Sequence, residues 1–92
     1  MSAVEIIAKI KRDGHLTGGD LTGIDLSRQD LTGVILEGVQ MPGADLTGGR
    51  LDNVDLAGAR MEKAVLNNAI LQNVSLIGTD LAGTDLSNAF AG

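Results

Sequence analysis

Every fifth residue from Leu16 to Leu86 is Leu or Met, fifteen positions in all, with Met only at 41 and 61. The register never breaks. A period of five fits neither a helix face, which repeats every 3.6 residues or so, nor a plain strand, which alternates by about two. It fits a short extended segment followed by a turn, repeated many times. In an extended segment, residues two apart point the same way. Two positions before each central Leu the side chain is usually small or β-branched, as in Val34, Val39, Ala44, Val54, Ala59, Ala64, Ala69, Val74, Thr79 and Thr84. The position between is often acidic: Asp20, Asp25, Asp30, Asp45, Asp55, Asp80 and Asp85. The small residue and the Leu therefore face inward, and the Asp faces solvent.

The two residues after each centre must turn the chain. A type II turn takes a residue with positive φ at its second central position, which suits Gly and, less readily, Asn. That slot holds Gly or Asn in twelve of the fourteen repeats from Gly19 to Asn88, with Arg28 and Lys63 as the exceptions. The chain's single proline, Pro42, stands at the first central position with Gly43 behind it. This is the slot in five where a locked φ and a missing N–H do no harm.

These residues carry a resemblance. The units "ADLTG", "VDLAG" and "TDLAG" resemble the pentapeptide-repeat family, whose motif is a run of A(D/N)LxX units, and the match covers residues 19–88. The resemblance implies an all-β solenoid, a right-handed quadrilateral β-helix with four repeats to a coil. Residues twenty apart would stack, so that Leu21, Met41, Met61 and Leu81 form one inner ladder. Fourteen repeats would make about three and a half coils, roughly 17 Å tall at the usual strand spacing. Each coil buries its residues against the next. Gly19, Ile24 and Gln29 depart from the inward pattern. Ile24 and Gln29 are large for a regular coil and predict a wider or distorted first one. The division expected is residues 1–18 as a capping helix and connector, and residues 19–92 as the β-helix.

The two ends differ. Ser2 and Glu5 have capping-box spacing. Ala3, Ile6, Ile7 and Ile10 form an apolar stripe at helical spacing. Lys9, Lys11 and Arg12 suit the negative end of a helix dipole, and Gly14 is a good stop. Residues 3–13 are read as a helix lying as a lid over the first coil; the other reading is an amphipathic helix for a partner. After Leu86 come only Ser87, Asn88, Ala89, Phe90, Ala91 and Gly92. Phe90 occupies an outward slot and is expected either to plug the open coil or to serve as an apolar contact. Bare coil edges invite pairing with another chain. Two outcomes are therefore expected: end-to-end homodimerisation through the C-terminal coil, or docking onto another protein.

Composition narrows the chemistry. The net charge is −5, the chain has no Cys, Trp or Tyr, and its one His is His15. Through Gly18 the balance is +1, and from Gly19 onward it is −6. An acidic body argues against direct contact with nucleic acid or an anionic membrane. No segment resembles a signal peptide or a membrane helix, which makes the cytoplasm the expected location. His15 alone makes no acid–base constellation, and the glycines recur because of the turns, not around a phosphate. Asp25 and Asp45 would share a face, but Val65 interrupts their column, so no metal ladder is expected. No enzyme activity and no cofactor are expected. Apolar residues in outward slots are more informative: Ile35, Val65, Ile70 and Ile77. Val65, Ile70, Ile77 and Phe90 are taken as a candidate interaction surface, and Ile6, Ile7 and Ile10 as the N-terminal cap.

Three functional classes compete. The first is a non-enzymatic interaction module or scaffold whose partner is another protein. The second comes from a branch of the resembled family whose members mimic DNA and bind DNA gyrase. That reading is weakened by Arg50, Arg60 and Lys63, which break the acid columns, and by net −6 spread over four faces, against about ten charges on duplex DNA of this height. The third, an enzyme, has no residues to support it. The opening helix followed by "HLTGGDLTGIDLSRQDLTG" is also similar to small pentapeptide-repeat modules found with bacterial type VI secretion proteins. That similarity implies an accessory role in loading or adapting cargo.

Overall fold

A computed structural model describes residues 2–91 of the chain. After helix α1 (Ala3–Asp13) the chain winds as a solenoid. Every bridge in it is parallel and joins residues twenty apart. Four columns result: His15–Ile35–Asp55–Ser75, Asp20–Gln40–Arg60–Asp80, Asp25–Asp45–Val65–Asp85 and Asp30–Arg50–Ile70–Phe90. They are the outward slots of the repeat, one column to each side of a square.

The corners follow from local chemistry. In most repeats the N–H of the inward residue donates to the carbonyl of the preceding centre, as from Ala44 to Met41 at 3.1 Å. The second central residue of the turn has positive φ at all positions from Gly18 to Asn88, including Arg28 at 60° and Lys63 at 59°. Those two are strained for side chains that are neither Gly nor Asn. Their stems lie against the next layer: a Cβ at Gly48 would stand 3.5 Å from Arg28 Cγ, and one at Gly83 3.4 Å from Lys63 Cγ.

Layers are tied by the backbone. Each centre from Leu16 to Leu71 donates down to the outward residue of the next layer, and that residue donates back up to an inward one. Leu26 N to Asp45 O (2.8 Å) and Asp45 N to Ile24 O (2.9 Å) are one such exchange. The turn residue adds a third bond, as from Arg28 N to Thr47 O at 2.8 Å. Pro42 needs no N–H here; its carbonyl accepts from Gly23 N at 2.9 Å.

The first coil is not distorted. Its bridges from His15, Asp20, Asp25 and Asp30 keep the register of the rest. Ile24 is buried in the core cluster that also contains Ile10 of the helix, so its extra volume is taken up in apolar packing. The bridged columns begin at His15, inside the span that sequence alone assigned to the connector. The helix has the expected capping box between Ser2 and Glu5, and Gly14 ends it in the left-handed conformation. Ile10 is fully buried, and Ala3, Ile6 and Ile7 pack against the core.

Burial is uneven along the axis. Leu21, Leu26 and Leu31 of the first coil are buried, whereas Leu76 and Leu86 of the last are 41% and 45% exposed. Thr79 and Thr84, inward in the last coil, donate their hydroxyls to the carbonyls of Leu56 (2.7 Å) and Met61 (2.8 Å). An inward hydroxyl is thus satisfied, not stranded.

Two substitutions test this account by urea denaturation. Gly38 has φ 70° and open space where a Cβ would stand, so Gly38→Ala should cost about 1–2 kcal/mol from the backbone alone, and Gly38→Asn less. Leu46→Ala, at a fully buried centre, should cost about 2–5 kcal/mol, against less than about 1.5 kcal/mol for Leu86→Ala at the exposed rim.

Candidate functional site: the outer faces and the C-terminal rim

The aspartates are turn-builders first. All seven in outward slots accept, through Oδ1, the backbone N–H two residues on: Asp20 from Thr22, Asp25 from Ser27, Asp30 from Thr32, Asp45 from Thr47, Asp55 from Ala57, Asp80 from Ala82 and Asp85 from Ser87. Where a hydroxyl residue follows, its O–H donates to the same oxygen, as from Thr47 to Asp45 at 2.6 Å. This is the Asx-turn geometry that favours Asp before a turn. It also accounts for Gln40, since Pro42 has no N–H for an aspartate there to accept.

Those bonds hold carboxylates in the charged form. Asp20, Asp25, Asp30 and Asp85 sit below the usual carboxylate range, first because of the Thr or Ser hydroxyl and then the backbone N–H. Asp13 is held far below it by Arg12 and then Lys9. Among the described residues no group of three or more His, Cys, Asp or Glu gathers that could hold a metal ion. Val65 stands between Asp45 and Asp85 in its column. His15 heads a column opposite Ile35 and is exposed. Arg50 pairs with Asp52 at 2.9 Å and Arg60 with Glu62 at 3.3 Å, on the surface.

The apolar outward residues fall into two groups. Ile70 and Phe90 are bridged neighbours in one column, and Val65 lies on the adjacent face. Ile77 is not in a bridge column; it occupies a turn and is 79% exposed. Phe90 is 56% exposed on the outer wall and does not line the coil end. Its N–H donates to Ala69 O at 2.9 Å, which fixes its side chain outward.

The coil end itself is a bowl of about 300 Å³, lined by Leu56, Met61, Leu66, Leu71, Leu76, Leu81 and Leu86 with Ala89 and Ala91. Leu76 and Leu86 were not singled out from sequence. Their pattern is that of every other centre, and they are exposed because no layer of the described residues packs beneath them. Among the described residues no helix is long and apolar enough to cross a membrane.

With this geometry in view, the chain belongs to the pentapeptide repeat family. The profile named "Pentapeptide repeats" matches it in eight copies over residues 15–48 and 50–88. Members of the family fold as right-handed quadrilateral β-helices, which the four bridged columns fit. Among solved structures it is similar to a pentapeptide repeat protein from the cyanobacterium Cyanothece 51142, with 32% identity, a TM-score of 0.52 and coverage of 85% of this chain and 64% of that one. It is also similar to HetL of Nostoc sp. strain PCC 7120, a protein involved in regulating heterocyst differentiation, at 31% identity, TM-score 0.60, and coverage of 83% and 38%. QnrB1, a plasmid-mediated fluoroquinolone resistance protein, shares the fold at 24% identity and TM-score 0.62, over 77% and 36%. The chain thus spans less than two thirds of the length of these structures. No curated protein matches it.

The aspartate bonds give a signed pH prediction. Carboxyls whose folded values lie below their unfolded value of 3.8 contribute stability that is fully present above that value and is lost as pH falls through the lower folded values. The urea midpoint should therefore drop on acidification below about pH 4. Asp25→Ala should flatten part of that drop; an unchanged acid limb in that variant would refute the turn assignment.

Proposed function

We propose that this protein is a non-enzymatic protein–protein interaction module: a short solenoid whose N-terminal helix closes one end and whose other end and adjacent walls meet a protein partner. The observation that carries this is the exposed apolar surface of the last coil, which holds four of the six large hydrophobic residues exposed among those described: Leu76, Ile77, Leu86 and Phe90, between 41% and 79% exposed. A family whose members fold as stacked coils offers walls and ends for contact. The capping role of α1 rests on the contrast between the buried first-coil leucines and the exposed last-coil ones. The acidic body disfavours nucleic acid and anionic lipid as partners. The cytoplasm is the proposed location. A helix followed by the repeat line similar to type VI secretion-associated modules makes an accessory of that machinery the proposed setting.

The second reading is binding to DNA gyrase as a DNA mimic. It is favoured by the fold shared with QnrB1, and the basic residues Arg50, Arg60 and Lys63 on the faces count against it. An assay separates the two. Ile70→Asp combined with Phe90→Asp should abolish capture of a purified secretion partner with the thermal melt unchanged, and gyrase supercoiling should be indifferent to the native chain. Protection or inhibition of gyrase at stoichiometric amounts would reverse the ranking.

A further inference from the structure

The outward aspartates show what the first turn N–H of a repeat takes as its partner. Seven times it is a carboxylate, placed two residues earlier in the same repeat. Where Ile70 takes the Asp slot, the Gln72 N–H keeps the same place in the turn and has no partner among the described residues. The wall of Ile70 is also the least acidic of the square. Asp30 and Arg50 balance there, whereas the wall of Asp25 carries three aspartates and no base, and those of His15 and Asp20 each carry more acid than base. The Asp30 carboxyl is held below its usual range by the Thr32 hydroxyl and N–H, then by the charges of Arg50 and Lys11, so both cations face this wall. Arg28, at the corner leading into it, makes no ion pair among the described residues. Arg50 commits only Nη2 to Asp52, which leaves most of its guanidinium donors open. Next in the column, Ile70 is half-buried and Phe90 is exposed. A backbone donor, an open guanidinium and an apolar shelf thus meet on one wall.

Resting on the interaction-module reading, we infer that this wall takes an extended segment of a partner protein in which an Asp or Glu stands beside a large apolar residue. The partner's carboxylate accepts from Gln72 N–H and from Arg50, in place of the aspartate that other repeats supply themselves. Its apolar side chain lies over Ile70 and Phe90. Same-face side chains of an extended segment stand about 6.8 Å apart, between one layer spacing of about 4.8 Å and two. Such a pair reaches both features when the segment runs along the column. The segment does not add a strand, because the N–H and C=O of Arg50, Ile70 and Phe90 are all bonded to the layer above. It is held by side chains and the one turn N–H, and the planar fork of Arg50 orients the carboxylate. The Asn67 N–H, after Val65, also lacks a partner among the described residues. There, however, Asp45 and Asp85 flank Val65 in its column and repel an incoming acid. Asp52, a layer above Gln72, is already paired with Arg50 at 2.9 Å. A basic segment is disfavoured on this wall by Lys11, Arg28 and Arg50 together.

The probe is a synthetic peptide, acetyl-Ser-Glu-Thr-Leu-Ser-Leu-amide, with analogues carrying Gln or Lys in place of Glu. Each is titrated into the isotope-labelled full chain and followed by amide NMR. The Gln72 N–H should move downfield with the Glu peptide, ahead of every other turn amide. The Gln analogue should bind about tenfold more weakly, since a bond to a charged acceptor is lost, and the Lys analogue more weakly again. Binding of the Glu peptide should fall as salt rises. Ile70→Asp places a carboxylate two residues before Gln72 within the chain itself. In that variant the Gln72 N–H should already lie downfield without peptide, and peptide binding should be lost while circular dichroism stays native. Arg50→Gln should weaken binding about tenfold with the fold intact. Equal binding of the Glu and Lys peptides overturns the proposal. So does a Glu peptide that fails to bind at millimolar concentration, an unmoved Gln72 N–H at saturation, or binding that survives Ile70→Asp or Arg50→Gln. If the peptide fails but a purified partner is still captured through Ile70 and Phe90, the module reading stands and only the carboxylate assignment falls.

Discussion

The left-handed residue at each corner is what the rest of this molecule hangs on. One residue in five takes a positive φ from Gly18 to Asn88, and each such residue bends the chain onto the next side of the square. Because the bend recurs at a fixed interval, residues twenty apart are brought into line and every layer presents the same groups to the next. Most corners avoid strain by carrying Gly or Asn; Arg28 and Lys63 accept it, and their stems gain contact with the following layer.

The aspartate at the outward slot supports that corner from outside. Its carboxylate accepts the first turn N–H, a group that no layer bond uses, while the interior is left to Leu, Val, Ala and Met. The division is clean: among the described residues no polar or charged one is buried. Acidic charge on this surface is thus bound up with chain folding, and its use as a recognition surface is secondary to that. The same logic explains why the surface is irregular where Ile35, Val65 and Ile70 replace Asp. Those turns do without the side-chain bond, and apolar surface takes its place.

A solenoid has no self-limiting closure, so burial at its first and last coils depends on what packs there. At the first coil, the helix sets Ile10 into the core and the neighbouring leucines are buried. At the last coil the leucines at equivalent positions are half exposed around a bowl. The described coils therefore combine a repetitive body with an exposed apolar last layer. The candidate interaction residues that outward-slot reasoning picked out lie on the walls beside that end. The rim leucines beside them escaped it, because nothing in their own pentapeptides differs from those that are buried.

Much could be read from the letters. The period of five, the inward and outward slots, the corner at Pro42–Gly43 and the helix with its Ser2–Glu5 box are local features, and local sterics and hydrogen bonding settle them. The side-chain volume of Ile24 and Gln29 misled, because volume at an inward slot matters only relative to what packs above it, and the regular first coil shares its core with α1. Phe90 as a plug failed for a related reason: its slot parity turns it outward once Ile70 fixes its bridge. The sequence by itself determined the corner, its spacing and the identity of the core, since each depends on φ preference and on burial within one repeat. The stacking of residues twenty apart was implied by the family resemblance and is what the bridges show; only the tertiary structure decided that the hydroxyls of Thr79 and Thr84 reach carbonyls a layer above, and which leucines stay wet. Those outcomes depend on stacking between residues twenty or more apart, where the presence or absence of a neighbouring layer determines exposure.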